Sequence, residues 1–355
     1  MGKKILMKGN VAMAEGAVIA GCRHYFAYPI TPQNEVSEYL ASRLPEVGGV
    51  FLQAESEVAS INMVFGASAA GARVMTSTSS PGYSLMQEGV SYLAAARLPA
   101  VLANVQRGGP GLGNIAPGQA DYFQAVKGGG HGDYRLIVFA PASPQDMLDY
   151  TILAFDLSDK YRVPALILSD GIIGQMMETV ECPEDYVPQT VEKPWALTGS
   201  VNRDGNVVRS LWLDDVGVEK NNDILQSVYR EIESNEVRYE GYLLDDAEIV
   251  IVAYGLSSRI ARQAVDRARR EGIAVGLLRP ITLFPFPTEV ISELANKENI
   301  SFLVVEMSAG QMVEDVRLAI EGRAPVDFYG TYGGRIPEEE HIIEKISRFS
   351  LHKEA

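Results

Sequence analysis

The chain has 355 residues, 46% of them hydrophobic and 22% charged, which is the balance of a soluble globular protein with room for two α/β domains and a connector. No apolar run approaches the ~20 residues of a membrane span, and the formal charge of −15 argues against a nucleic-acid backbone as ligand. Cys22 and Cys182 are the only two cysteines, too few for a disulfide framework or for the four thiolates of an iron–sulfur cluster, so any cluster is expected on a partner.

The first residues, Met1 to Lys8, carry positive charge but lead into Gly9, Asn10 and Glu15 rather than an apolar signal core, and a cytoplasmic location is expected. From Lys8 to about Cys182 short β-rich runs alternate with helical segments, the rhythm of a parallel sheet covered by helices. The expected strands are His24–Tyr28, Gly49–Gln53, Arg73–Thr78, Ala100–Val105, Leu136–Ala140 and Ala165–Ser169. The Ala-, Ser- and Gly-rich stretch Val58–Gly71 predicts a deeply buried helix.

Between Pro183 and Asp246 the rhythm breaks into a connector or arm, with one helix expected near Asp223–Glu233. A second βα rhythm begins at Glu248–Tyr254. Its first helix, Ser258–Glu271, is expected to bury Ile260, Ala261, Ala264, Val265 and Ala268. Strands at Ala274–Leu278, Phe302–Val305 and Val326–Tyr329, with helices at Thr288–Asn296 and Gln311–Glu321, complete a small C-terminal α/β domain.

Four segments are candidates to carry chemistry. Tyr28-Pro29-Ile30-Thr31-Pro32 stands where a strand passes into a helix, with Thr31 read as N-cap and Pro32 as the first helical residue. A helix N-terminus with a free hydroxyl can hold an anionic group, or can be no more than a capped helix start. Gln53-Ala54-Glu55-Ser56-Glu57 puts acids at the entry to a segment without other charge, where burial would disfavour the charged form; the plainer reading is helix-start acids favoured by the macrodipole. Arg107 ends a buried strand at a glycine-dense loop, placed to meet an anionic substrate or to tie the loop down. His131, in Gly128-Gly129-Gly130-His131-Gly132-Asp133, can reach a ligand from a flexible loop or lie on the surface.

Other patterns are set aside. Gly111-Leu112-Gly113-Asn114-Ile115-Ala116 matches the dinucleotide fingerprint, but Pro117 and Gly118 disrupt the helix start it requires, which leaves NAD a weak alternative. Ser169-Asp170-Gly171 with the distant Asn221-Asn222 lacks the leading glycine and the interval of a thiamine-enzyme diphosphate motif, so this chain is not expected to hold the magnesium and diphosphate. No His/Cys cluster has the spacing of a zinc site.

Taken in order, Tyr-Pro-Ile-Thr-Pro at 28–32, Glu-Ser-Glu-Val-Ala-Ser at 55–60, Gly-Ala-Ser-Ala-Ala-Gly-Ala-Arg at 66–73, Thr-Ser-Thr-Ser-Ser-Pro-Gly at 76–82 and Gln-Arg-Gly-Gly-Pro at 106–110 resemble the α subunit of 2-oxoacid:ferredoxin oxidoreductases. Within that family the 55–60 segment and the 110–113 loop look closer to the branched-chain, 2-ketoisovalerate (3-methyl-2-oxobutanoate) branch.

The resemblance implies an α/β architecture with a pyrimidine-binding domain at 1–185, a connector or arm at 186–245, a transketolase C-terminal-like domain at 246–345 and a tail at 346–355. It also implies oxidative decarboxylation of a 2-oxoacid with coenzyme A to acyl-CoA, CO2 and reduced ferredoxin, on thiamine diphosphate shared with a partner. Glu57 would hydrogen-bond the pyrimidine ring nitrogen, with Pro29 and Ile30 beside the ring; a carboxyl there favours the tautomer that can accept a proton. Thr31 and Arg107 would bind the substrate's carboxylate and keto group. Mg2+ and 4Fe–4S clusters would sit on partners: a β subunit with the diphosphate site, a γ subunit and a ferredoxin-like subunit, in a dimer of hetero-oligomers passing electrons to ferredoxin. The alternatives are a 2-oxoglutarate- or pyruvate-specific member of the same family, the β subunit of a lipoamide-linked 2-oxoacid dehydrogenase, and a scaffold that has kept only the fold.

Overall fold

The computed structural model describes residues 2–189, 191–201 and 204–353. Its first part runs β1 (Lys3–Lys8), α1 (Gly9–Ile19), β2 (His24–Ala27), α2 (Asn34–Glu46), β3 (Val50–Gln53), α3 (Glu57–Ala69), β4 (Val74–Thr78), α4 (Ser80–Ala95) and β5 (Val101–Gln106). It continues with α5 (Tyr122–Val126), β6 (Ile137–Phe139), α6 (Pro144–Tyr161), β7 (Ala165–Asp170), α7 (Gly171–Gln175) and β8 (Met177–Cys182). The second part comprises α8 (Asp215–Asn235), β9 (Tyr239–Tyr242), β10 (Ile249–Val252), α9 (Gly255–Arg270), β11 (Val275–Pro280), β12 (Thr282–Phe284), α10 (Thr288–Leu294), β13 (Ser301–Glu306), α11 (Met312–Ile320), β14 (Val326–Gly330) and α12 (Glu339–Lys353).

The first sheet has seven strands in the order β12-β6-β7-β5-β4-β2-β3, parallel throughout except for β12, which runs antiparallel to β6. Every residue of β4, β5 and β7 is buried, as expected of central parallel strands with helices on both faces. The second sheet, β14-β13-β10-β11-β9, is parallel apart from its edge strand β9, and β1 pairs with β8 in a two-stranded antiparallel ribbon. Because β12 follows β11 in the chain yet joins the first sheet, the two α/β units are stitched by a strand as well as by packing.

Gln119 is the polar hub between the units. Its backbone N–H donates to Met307 O at 2.8 Å, its amide nitrogen to Tyr254 O at 2.9 Å, and its amide oxygen accepts from Ser257 Oγ at 2.8 Å and Met307 N at 2.9 Å. Beside it, Asp170 caps α7 by accepting from Ile172 N at 2.9 Å and Ile173 N at 3.1 Å, and it faces Leu256 N at 3.4 Å across the junction. Burial pushes the Asp170 carboxyl up to about 6, against the lowering effect of these three N–H groups. A carboxyl whose folded pKa is raised contributes stability below its unfolded value of 3.8 and loses it as pH rises through about 6. Asp170→Asn keeps the cap acceptor without the charge. The variant is expected to match or exceed the parent's melting temperature at pH 7, with the difference shrinking as pH falls from 6 to 4; a difference that grows on acidification would contradict this assignment.

α9 buries Ala261, Ala264, Val265 and Ala268, with Ile260 half-buried, as its spacing predicts. Three elements depart from expectation. α3 is not deeply buried: Glu57, Ser60, Ile61, Val64, Ser68 and Ala69 pack inward, but Val58, Asn62 and Gly66 remain exposed, so its small residues line an open side as well as a packed one. α8 starts at Asp215, two turns before the expected helix, because Asp214 caps it by accepting from Gly217 N at 2.6 Å; its first two turns leave Val216 and Val218 exposed, while Leu225, Tyr229 and Ile232 form the buried stripe. α12 runs through the stretch expected as a tail, with Ile342 and Ile346 fully buried against the second sheet and α9.

Candidate active site

The carboxyl ends of β2, β3, β4, β5 and β7 lie side by side, and the segments leaving them are 28–33, 54–56, 79, 107–121 and 171–176. Ligands of open parallel sheets collect on this edge.

Ser56 caps α3, accepting from Ala59 N at 3.2 Å, which makes Glu57 the first helical residue and turns it inward. Glu57 is only 4% exposed, whereas Glu55 is solvent-exposed. Among the described residues the Glu57 carboxyl has no hydrogen-bond or ion-pair partner. It lies against Gly82 in the first turn of α4, where a Cβ would collide with both Glu57 Oε1 and Thr78 Oγ1. Thr78 Oγ1 and the next hydroxyl, Ser79 Oγ, are buried without partners. Buried polar groups are ordinarily satisfied, so a carboxyl with an idle hydroxyl beside it fits a group brought in from outside that offers hydrogen-bonding atoms. The run Thr76-Ser77-Thr78-Ser79-Ser80-Pro81-Gly82 was part of the sequence resemblance, but no role was read from it. A fully buried strand ending in hydroxyls and glycine was the available signal.

The 28–33 turn differs from the sequence reading. Thr31 is not an N-cap and Pro32 is not helical: α2 begins at Asn34 with Gln33 before it. The reason lies in sideways bonds. Pro32 O accepts from Asn10 Nδ2 at 2.8 Å and from Gln175 Nε2 at 3.0 Å, and Gln33 Oε1 accepts from the buried Ser77 Oγ at 2.5 Å, so the turn is tied to α1, α7 and β4 rather than continued along α2. Thr31 and Pro29 are exposed at its tip and Ile30 is half-buried.

Arg107 is 7% exposed and reaches this turn directly. Nη1 donates to Thr31 O at 2.9 Å and Nη2 to Leu112 O at 3.1 Å, so the guanidinium clamps the turn to the glycine loop. Nε is buried without an acceptor. Of the five donors on a guanidinium, this edge and the second hydrogen of each Nη are uncommitted. The Arg107 main chain is set by Ser80: Arg107 N donates to Ser80 Oγ at 3.0 Å, and Ser80 Oγ donates to Asp121 Oδ2 at 2.6 Å. Asn104 Nδ2 also donates to Asp121 Oδ2, at 2.8 Å; burial raises the Asp121 pKa, against the lowering effect of these two bonds. Ser80 and Gly82 share the first turn of α4, which brings the Arg107 strand end and the Glu57 carboxyl to one helix terminus.

The 108–116 loop folds back on itself, with Asn114 N donating to Gly108 O at 3.0 Å. Gly113 has φ +59°, and a Cβ there would strike Gly108 O. No helix starts at the Gly111–Ala116 fingerprint, which is an irregular turn. His131 lies apart from the site: its carbonyl accepts from Ser91 Oγ at 2.8 Å, about nine helical residues or ~13 Å along α4 from Gly82. Cys22 and Cys182 are both buried and unpaired, and among the described residues no three His, Cys, Asp or Glu side chains cluster for a metal. No helix is long and apolar enough to cross a membrane among the described residues.

Comparison with known proteins gives a consistent picture. A family profile described as pyruvate flavodoxin/ferredoxin oxidoreductase, thiamine diphosphate-binding, matches residues 15–211, and one for pyruvate:ferredoxin oxidoreductase core domain II matches residues 247–342. The ketoisovalerate oxidoreductase subunit VorB of Methanothermobacter thermautotrophicus is 54% identical over 96% of this chain and 96% of its own length. The 2-oxoglutarate synthase subunit KorA of Methanocaldococcus jannaschii is 36% identical over 95% of this chain and 97% of its own. Among solved structures, the 2-oxoglutarate:ferredoxin oxidoreductase of Magnetococcus marinus, bound to 2-oxoglutarate, coenzyme A and succinyl-CoA, superposes with a TM-score of 0.86 at 28% identity. It matches 98% of this chain, which spans 65% of that longer chain. An inactive split-gene transketolase shares the fold, with a TM-score of 0.59 at 15% identity.

Proposed function

The chain belongs to the pyruvate flavodoxin/ferredoxin oxidoreductase family as a subunit of a 2-oxoacid:ferredoxin oxidoreductase, and from that premise we propose that it supplies the aminopyrimidine half of a thiamine diphosphate site acting on branched-chain 2-oxoacids. The observation that carries this reading is the Glu57 carboxyl, buried and without a protein partner on the ligand-binding edge of the sheet. Thiamine diphosphate, when bound, supplies the nucleophilic carbon and electron sink that decarboxylation of a 2-oxoacid requires.

This chain's residues have separate tasks. With the cofactor bound, the Glu57 carboxyl would hydrogen-bond the pyrimidine ring nitrogen, with Pro29 and Ile30 beside the ring. Thr31 Oγ1 and the uncommitted edge of Arg107 take the substrate's carboxylate and keto oxygen, a charge-assisted grip that fixes the reacting carbon in place. The clamp from Arg107 to Thr31 O keeps those two groups in register.

The rest of the reaction belongs to other chains. With two buried cysteines this subunit cannot ligate a cluster, so the electrons leave through 4Fe–4S clusters on partners to ferredoxin, and the acyl group passes to coenzyme A. The β subunit holds the diphosphate and Mg2+, with a γ subunit and a ferredoxin-like subunit completing a cytoplasmic dimer of hetero-oligomers. Family membership sets the lipoamide-linked alternative aside. Within the family, the 54% identity to a ketoisovalerate subunit against 36% to a 2-oxoglutarate subunit favours the branched-chain substrate.

A panel of 2-oxoacids tests the reading, assayed for coenzyme-A-dependent viologen reduction with this chain alone and co-expressed with its partners. Turnover is expected only in the complex, and highest with 3-methyl-2-oxobutanoate. A complex that turns over 2-oxoglutarate best would refute the branched-chain assignment.

A further inference from the structure

Thr31 and Pro32 form one wall of an open cavity of about 680 Å³ whose other lining residues are Ile115, Pro117, Gly171, Ile172, Gln175 and Met176. The side chains come from three places: the 28–33 turn, the glycine loop after β5, and α7 with the residue that follows it. Apart from Thr31 and Gln175, every lining residue is apolar or glycine. Ile115 stands 66% exposed at the rim, a large aliphatic side chain with no packing role in the free chain.

The polar groups near the cavity are already committed. Gln175 Nε2 donates to Pro32 O at 3.0 Å and to Glu35 Oε2 at 2.8 Å, and Gln175 Oε1 accepts from Lys8 Nζ at 2.9 Å. Lys8 is itself paired with Glu35 at 3.0 Å. With the Thr31 hydroxyl taken by the head group, a second carboxylate in this cavity would meet no further free side-chain donor and no cation among its lining residues, whereas an alkyl group would meet aliphatic carbon on several sides.

We propose that Ile115, Ile172 and Met176 are the specificity-determining residues of this subunit, forming the wall that receives the alkyl side chain of a 2-oxoacid and turns away a distal carboxylate. The proposal rests on the functional reading above, since it takes the 2-oxoacid head group to lie at Thr31 and Arg107. The alkyl arm then extends over Pro32 towards Met176. The cavity is far larger than one isopropyl group, so selection acts by polarity more than by length, and longer apolar 2-oxoacids are substrates as well.

The test is made on the assembled complex with three variants, Ile115→Ala, Met176→Ala and Met176→Lys, each assayed with 3-methyl-2-oxobutanoate, pyruvate and 2-oxoglutarate. The two alanine variants are expected to raise KM for 3-methyl-2-oxobutanoate by about tenfold and to leave pyruvate, which has only a methyl group, within about twofold. Met176→Lys offers a cation to the distal carboxylate and is expected to shift the kcat/KM ratio of 2-oxoglutarate to 3-methyl-2-oxobutanoate by about 100-fold or more towards the former. The inhibition constants of alkyl monocarboxylates and of succinate should move in the same two directions, a readout independent of turnover. A wild-type complex that prefers 3-methyl-2-oxobutanoate while all three variants keep its substrate ratios would overturn this inference and leave the functional reading intact. A wild-type complex that prefers 2-oxoglutarate would overturn the functional reading itself. Equal loss on every substrate together with dissociation of the subunits in gel filtration would mean that a partner covers this wall, and would also overturn the inference.

Discussion

Glu57→Gln in the assembled complex is expected to lower 2-oxoacid- and coenzyme-A-dependent viologen reduction by about 10²–10⁴-fold, the range over which a positioned proton-transfer group acts. The fold should not suffer. The Glu57 carboxyl makes no bond to the protein that an amide would lose, it is 4% exposed, and glutamine has the same shape. Measured without thiamine diphosphate, the variant's melting temperature is therefore expected to stay close to that of the parent. The same burial explains why Gly82 has no side chain: the space that a Cβ would take is filled by Glu57 Oε1 and Thr78 Oγ1. Steady-state rates, a melting curve and the thiamine diphosphate content of the purified complex together check the claim. Turnover within about twofold of the parent would remove Glu57 from the chemistry.

Arg107→Ala is expected to lower kcat/KM for the 2-oxoacid by about 10²–10³-fold while the complex retains its thiamine diphosphate, the cost of truncating a buried charged donor being of that order. Two effects add in the same direction. The edge proposed to take the substrate carboxylate disappears, and so do the bonds to Thr31 O at 2.9 Å and Leu112 O at 3.1 Å that hold the turn and the glycine loop together. Arg107→Lys should not restore the rate, because an ammonium carries the charge without the planar fork that spans two carbonyls and an anion at once. Kinetics on both variants, with cofactor content measured alongside, distinguish this from a structural role: unchanged KM with loss of thiamine diphosphate would place Arg107 in the cofactor's support instead.

Much of this was legible in order along the chain. The strands His24–Ala27, Val50–Gln53, Val74–Thr78, Val101–Gln106, Ile137–Phe139 and Ala165–Asp170 fall within a residue or so of where β-rich runs predict them, because all but the edge strand Val50–Gln53 are interior parallel strands, which are mostly apolar. What escaped reading was structure without a local pattern. β1, β8, β9 and β12 are edge or ribbon strands whose pairing depends on distant residues, and the first turns of α8 bury no residue. α12 does carry a local pattern: Ile342, Ile343, Ile346 and Phe349 recur at helical spacing.

Residue identity alone determined the α/β class, a cysteine count too low for an iron–sulfur cluster, and the presence of one acid, one threonine and one arginine at strand ends, since these follow from composition and from where runs of apolar residues stop. Only the tertiary structure decided which of Glu55 and Glu57 is buried, that Thr31 sits on a turn held sideways by Asn10 and Gln175 rather than capping α2, and that Arg107 grips that turn through its main chain. The last two depend on contacts between residues tens of positions apart, and the bonds that set them go to backbone carbonyls, which look alike at every position in a sequence and are told apart only by where the fold brings them; the first depends on how α3, once capped by Ser56, packs against β4 and α4.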